Sequence, residues 1–464
     1  MIKQRVRIYT AIAIALFLIL GSCLFFATLS PYRSFLKSKA AYFGEKIISW
    51  NKHKEKFFVD QNVFFKGESL AFVSKSIISE NEQVVLNLFG EGKVDINIEF
   101  YNTFGTIHSK ENLSFVADRK IPDIFSTLYG FSGKGEEIKI APKVSNGWID
   151  IEINPSNGEK VNIPVLVETR EASDVIFVES TDTLNAYVSA YGLPTKYFRE
   201  PAPLGAYTRP HSMPQNYDIF EFITTGNVHC KDHLINADFV LKRFLRELNY
   251  SYKCVSDHFL DKYSNFASAK VLIFGAHNEY WTLKKAENVL KFVHNGGSVL
   301  FLGGNTAWRA VERAEGFDMI HGDNLLDDGF EDFIHQVLGS YYDINGYNTF
   351  APFRLNKQAA DHEMLSSITS STGLFALDTD FPCCGKEIHG GSGLETDKLL
   401  SGSDESFVLL ATGDNGWGGG AEIVCRAFPN GGSVLNFGSV SLWHKTKDNV
   451  VRNLVSNFLD NSLR

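Results

Sequence analysis

Three short runs, Val175–Val178, Val271–Phe274 and Val299–Leu302, constrain this chain more than any other feature. Each is apolar throughout rather than alternating, which in a strand means burial on both faces. Between them lie segments with apolar residues at helical spacing. Ala237, Val240, Leu241, Phe244, Leu245 and Leu248 share one face behind Asn236, read as an N-cap, and a second helix runs from Thr282 to His294 with a stop at Gly296-Gly297. Thr183–Tyr191 reads as a helix and Tyr252–Val255 as a strand. Further strands at Phe407–Ala411, Glu422–Ala427 and Val434–Phe437 lead to a last helix with Val451, Leu454, Val455, Phe458 and Leu459 inward. Strands alternating with amphipathic helices predict an α/β domain over 171–464 on a mostly parallel sheet.

Residues 57–170 have a different character. Short β-like runs at Ser69–Val73, Gln83–Leu88, Val94–Tyr101, Glu137–Ala141, Trp148–Ile153 and Val161–Val167 are separated by turn residues such as Asn146-Gly147. Asp95, Asn97 and Glu99 alternate with Val94, Ile96, Ile98 and Phe100, the period of a half-buried strand. This pattern predicts an immunoglobulin-like β-sandwich.

Ahead of it, Lys3, Arg5 and Arg7 precede an uncharged run from Ile8 to Leu29. As a helix that run would be about 33 Å long, enough for a bilayer core of about 30 Å. It is read as an uncleaved transmembrane anchor over 1–30 with a juxtamembrane linker over 31–56, a cleaved signal peptide being the alternative. The leading basic residues put the amino end inside and the bulk of the chain in the periplasm or another extracytoplasmic space, although Arg33, Lys37, Lys39 and Lys46 pull the other way. A net charge of −9 gives no nucleic-acid footprint. Six cysteines in 464 residues make no disulfide framework, and the adjacent Cys383 and Cys384 are poorly placed to bond to each other.

In an open parallel sheet, ligands bind beyond the carboxyl ends of the strands. That rule selects Ser180–Tyr187, Gly275–Trp281 and Gly303–Arg309. His277 and Glu279, two apart on extended chain, project the same way and suit general base work or metal binding. The plainer reading is that Glu279 caps the helix starting near Thr282 and His277 is merely hydrogen-bonded. Asn305 can donate to an oxyanion or close a turn. Gly385–Asp397 is a glycine-rich polar island, by itself a solvated loop. There is no phosphate-binding loop, nucleophile elbow or His-Glu-x-x-His helix, which disfavours covalent serine or cysteine catalysis. His229 and His233, four apart, make only an isolated pair.

Thr183-Leu184-Asn185-Ala186-Tyr187, His277–Trp281, Gly303–Arg309, Gly391–Asp397 and Gly420-Ala421-Glu422 occur in an order that resembles the carboxyl-terminal catalytic region of the N,N-dimethylformamidase large subunit. The likeness runs from Asp174 to the end, and the preceding β-rich segment resembles that family's sandwich. The resemblance implies a class I glutamine amidotransferase-like fold without a cysteine nucleophile, and a mononuclear ferric iron held by two tyrosines and a glutamate. Carried over, these ligands are Tyr187, Tyr197 (with Tyr207 and Tyr217 as alternatives) and Glu279, and the catalytic residues are His277, Asn305 and Glu395. The family's tryptophan after the first threonine is Leu184 here, and a membrane anchor is foreign to the well-known enzyme. The expected activity is iron-dependent hydrolysis of a small amide or related C–N bond by a membrane-anchored hydrolase. The alternative is a non-catalytic module binding a cell-envelope ligand. Self-association into a homo-oligomer and the need for a small subunit stay open.

Overall fold

The computed structural model describes residues 69–119, 136–187 and 235–464, with 189–190 and 193–194; short interruptions fall at 74, 76, 157–160, 315–316, 325–329, 348, 367, 369–371, 378–389 and 402–405. The expected anchor Ile8–Leu29, the three candidate tyrosines Tyr197, Tyr207 and Tyr217, the His229/His233 pair and the Cys383-Cys384 pair lie outside the described residues. Among the described residues no helix is long and apolar enough to cross a membrane.

Among the described residues the amino-terminal part is a β-rich unit of seven strands: β1 (Ser69–Val73), β2 (Ile77–Ser79), β3 (Val84–Asn102), β4 (Ile107–Arg119), β5 (Glu136–Ile140), β6 (Gly147–Pro155) and β7 (Val161–Glu168). The two runs expected at Gln83–Leu88 and Val94–Tyr101 are one strand of 19 residues. Its first half pairs with β1 and β5 and its second half with β4 and β6. The alternation seen in the sequence sets which face is buried: Val94, Ile96, Ile98 and Phe100 join the core while Asp95, Asn97 and Glu99 face outward.

The second part follows the expected strand–helix order. It comprises β8 (Val175–Glu179), α1 (Thr181–Tyr187), α2 (Ile235–Glu247), β9 (Lys253–Ser256), β10 (Val271–Phe274), α3 (Leu283–His294) and β11 (Ser298–Phe301). After these come β12 (Ser340–Asp343), β13 (Phe353–Leu355), β14 (Leu374–Phe375), β15 (Thr396–Leu399), β16 (Val408–Gly413), β17 (Glu422–Ala427), β18 (Ser433–Asn436) and α4 (Asn449–Leu463). The helix expected over Thr183–Tyr191 starts and ends earlier, and Asn236 lies inside α2 rather than capping it. A 9-stranded mixed sheet has the order β9-β8-β10-β11-β18-β17-β16-β13-β14. The β9-β8-β10-β11-β18 half is parallel and the rest antiparallel.

Alternate residues of the apolar strands feed two cores. Val175, Phe177, Val271 and Ile273 pack with Val240, Phe244, Leu454 and Phe458 of α2 and α4, while Ile176, Leu272, Phe274 and Phe301 pack with Val289 and Phe292 of α3. Helices therefore cover both faces, which is why these strands carry no polar alternation. From β8 the chain moves outward to β9, then returns across β8 to β10 and continues to β11 on the far side. Strand order thus reverses between β8 and β10, the position where an open α/β sheet leaves a crevice.

Candidate functional site

The loops leaving β8 and β10 part at that crevice, and α1 ties them together. Thr183 Oγ1 accepts hydrogen bonds from the backbone N–H of Glu279 (3.0 Å) and of Tyr280 (3.3 Å). The parallel pairing of β10 with β11 extends past the strand ends as a bridge between His277 and Gly304. Two glycines make the close approach feasible: a Cβ on Gly303 would sit 2.2 Å from the Ala276 carbonyl oxygen, and one on Gly275 would sit 2.0 Å from Asp238 Oδ1. Asp238, on α2, accepts from the Ala276 N–H at 2.7 Å and so fixes the residue before His277. Burial, then the nearby Glu179 carboxylate, pushes its pKa up to about 8.

The following turn is held against its own preference. Asn305 (φ 50°) and Ala307 (φ 56°) both adopt the left-handed conformation, a strain that clusters at functional sites. Asp397 compensates by accepting from the N–H of Asn305 at 2.7 Å and of Thr306 at 3.3 Å. Burial dominates the Asp397 carboxyl and moves its pKa up to about 7, against those two hydrogen bonds. The Ala307 N–H donates to the Asn278 carbonyl and the Arg309 N–H to the Glu279 carbonyl, so the two rim segments are stitched together.

Three segments distant in sequence meet here. His277 Nε2 lies 3.1 Å from Glu395 Oε2 and 3.6 Å from Glu279 Oε2. Asn305 Nδ2 donates to Glu395 Oε2 at 2.9 Å and lies 3.4 Å from His277 Nε2. His277, Glu279 and Asn305 are buried, and Glu395 is partly open. The sequence-derived His277, Glu279, Asn305 and Glu395 therefore form one cluster. Tyr187 ends α1, with its side chain outside the described residues, as is all of Tyr197. Along the backbone, position 187 comes about one helical turn after the threonine that holds Glu279.

Two plainer expectations are corrected. Glu279 does not cap the following helix: Thr282 does, its Oγ1 accepting from the Lys285 N–H at 3.0 Å while donating to Asp261. The described part of the polar island, Gly390–Asp397, is packed rather than solvated, with Ser392, Thr396 and Asp397 fully buried. Ser439 Oγ bonds the Gly391 carbonyl and the Gly393 N–H, and the Val440 N–H donates to the Glu395 carbonyl, so Glu395 stands on a pinned loop.

Asp397 and Thr183 entered the sequence reading only as ends of longer segments, with no role of their own, and Asp238 not at all, since a buried carboxylate accepting backbone hydrogen bonds looks like any surface acid in one dimension. Among the described residues no three His, Cys, Asp or Glu side chains are grouped so as to hold a metal ion. Of the expected ligand set only Glu279 has a described side chain. Glu279 is a buried carboxylate, and beside it the side-chain amide of Asn278, 1% exposed, has no hydrogen-bond partner, nor has Oδ1 of Asn305. Unsatisfied buried polar atoms are costly, about 1–3 kcal/mol each.

A histidine, two glutamates and an asparagine are thus gathered at the switch point of an α/β sheet. The chain belongs to the N,N-dimethylformamidase beta subunit-like, C-terminal family, whose model matches residues 134–446. That family is related to a subunit of an amidase. No curated protein matches the chain. Among solved structures it is similar to a ThuA-like protein from Bacteroides uniformis, at 14% identity over 49% of this chain and 84% of that one, with a TM-score of 0.32. It is also similar to the mmIFT52 N-terminal domain, at 15% identity over 48% of this chain and 89% of that one, with a TM-score of 0.30.

Proposed function

We propose that the chain is a metal-dependent amidohydrolase that cleaves a small neutral amide or related C–N bond. The observation that carries this reading is the meeting of His277, Asn305 and Glu395, from three separate segments, within hydrogen-bonding reach of one another. A histidine paired with a carboxylate can take a proton from an attacking water and return it to the leaving amine, typically worth about 10²–10⁴-fold in rate. The Asn305 amide, its backbone locked by Asp397, supplies a donor for the oxygen that gains charge as the carbonyl becomes tetrahedral. Thr183 and Asp238 hold the segment on either side of His277 and keep these groups in register.

Glu279, with Tyr187 and Tyr197, would hold a ferric ion; carboxylate and phenolate are hard anionic donors suited to it. Such an ion supplies Lewis-acid polarisation of the amide carbonyl and a lowered pKa for water. The finer fold assignment, a class I glutamine amidotransferase-like domain behind an immunoglobulin-like sandwich, and an extracytoplasmic location behind an anchor at Ile8–Leu29, belong to the same reading.

Elemental analysis of the purified protein, with its visible spectrum and an assay on N,N-dialkylformamides, tests the proposal. Iron near one per chain, a tyrosinate-to-iron absorption band lost in Tyr187→Phe, and amide turnover are expected. A colourless, metal-free protein that turns over no amide would overturn it and favour a binding module.

A further inference from the structure

We propose that Tyr342, together with Trp308, forms an aromatic wall of the site that contacts the apolar substituent of the substrate amide and sets which amides are accepted. The inference rests on the amidohydrolase reading and adds a residue that the family-derived site does not contain. β12 pairs antiparallel with β15, with Tyr342 directly opposite Asp397. Directly opposed residues project from the same face of a ladder. Asp397 sends its carboxylate to the Asn305 and Thr306 amides, so that face looks onto the strained turn. The Tyr342 ring accordingly packs on Trp308, three residues past Asn305, with centroids 5.0 Å apart in an edge-on arrangement. Tyr341 also packs against Trp308, with ring centroids 4.8 Å apart.

The phenol stands in the field of the carboxylates of Glu395, Glu279 and Asp397, the same groups that surround His277. Trp308 and Tyr342 are both half-buried. Aromatic faces carry a negative quadrupole and favour alkyl groups made slightly positive by an attached amide. Neutral amides with apolar substituents are the class this wall would take.

Tyr342→Ala and Tyr342→Phe, each checked for an unchanged melting curve, are compared with the natural protein on formamide, N,N-dimethylformamide and N,N-diethylformamide. Binding is read in parallel by ligand-observed saturation-transfer NMR. Tyr342→Ala should lower the ratio of kcat/KM for the dialkyl amides over formamide by about tenfold, the scale of a lost apolar contact, whereas Tyr342→Phe keeps most of it. An unaltered ratio in Tyr342→Ala overturns the wall, even if all rates fall together. Binding of dialkyl amides that Tyr342→Ala abolishes, without turnover in any form, supports the wall and overturns the hydrolase. Neither binding nor turnover in the natural protein overturns both.

Discussion

Single side chains at the strand ends of this molecule stand where they do because others fix their backbone. Asp238 is the clearest case. Its folded-state pKa, about 8, stands above the ordinary carboxyl value of 3.8. A carboxyl whose pKa rises on folding contributes stability that is complete below its unfolded pKa and is lost as pH climbs through the folded one. The melting temperature should therefore fall between about pH 4 and pH 8. Asp238→Asn keeps an acceptor for the Ala276 N–H without the charge and should flatten that fall, as thermal melts across the pH range would reveal. A variant with the natural slope would remove Asp238 as the group responsible. At this scale the sequence was half legible. His277, Glu279 and Asn305 sit directly after apolar strands, so the rule of strand ends finds them, and Glu395 came from the resemblance. Asp238 could not be found that way, because it lies inside a helix on the apolar face and only packing shows that its carboxylate points at the rim.

Elements were read best where one force decides them. The strand Val271–Phe274 matches its expected bounds, α3 begins and ends within a residue or so, and the residues expected to face inward on α4 are buried, because uniform burial or a clear 3.6 period leaves little choice. β4 escaped notice: Lys110, Glu111 and Asn112 interrupt its apolar positions, and it is ordered by its long pairing with β3. α1 starts early because Thr181 and Asp182 are tied to Asp257 at the end of β9: the Asp182 N–H donates to Asp257 Oδ2 at 2.9 Å and Thr181 Oγ1 accepts from the Asp257 N–H at 3.1 Å. Two element-scale outcomes follow from this anatomy. Thr282→Ala removes the cap of α3 and should cost about 1 kcal/mol in denaturant melts, with activity nearly intact. Gly303→Ala drives a Cβ into the Ala276 carbonyl and should cost about 1–3 kcal/mol while displacing the β10 and β11 ends. Equal effects of the two on activity would mean that the strand ends are not what positions the site.

Across the whole molecule, the β-rich unit and the α/β unit meet through buried polar contacts as well as apolar ones. Asn146 exchanges hydrogen bonds with the backbone of Cys254 at 2.7 Å, and Trp148 Nε1 donates to Glu179 Oε1 at 3.2 Å. The same oxygen accepts from Lys242 Nζ at 2.6 Å, in a pair that is almost fully buried. Tyr101, Trp148, Leu166 and Phe239 close over it. Breaking such a pair from one side strands a charge, so Lys242→Ala should destabilise the chain by about 3–5 kcal/mol. Loosening of the two units together, seen by hydrogen exchange, would accompany it; exchange confined to α2 would show the contact to be local. None of this joint was legible in the sequence, where Trp148 and Glu179 belong to separate patterns. The central claim is that His277 and Glu395 act as one proton-handling unit, and a double-mutant cycle on amide hydrolysis tests it most directly. His277→Ala and Glu395→Gln should each lower kcat/KM for N,N-dimethylformamide by about 10²–10⁴-fold, with the double variant no slower than the slower single one. Losses that multiply, or either variant keeping the natural rate, would contradict it.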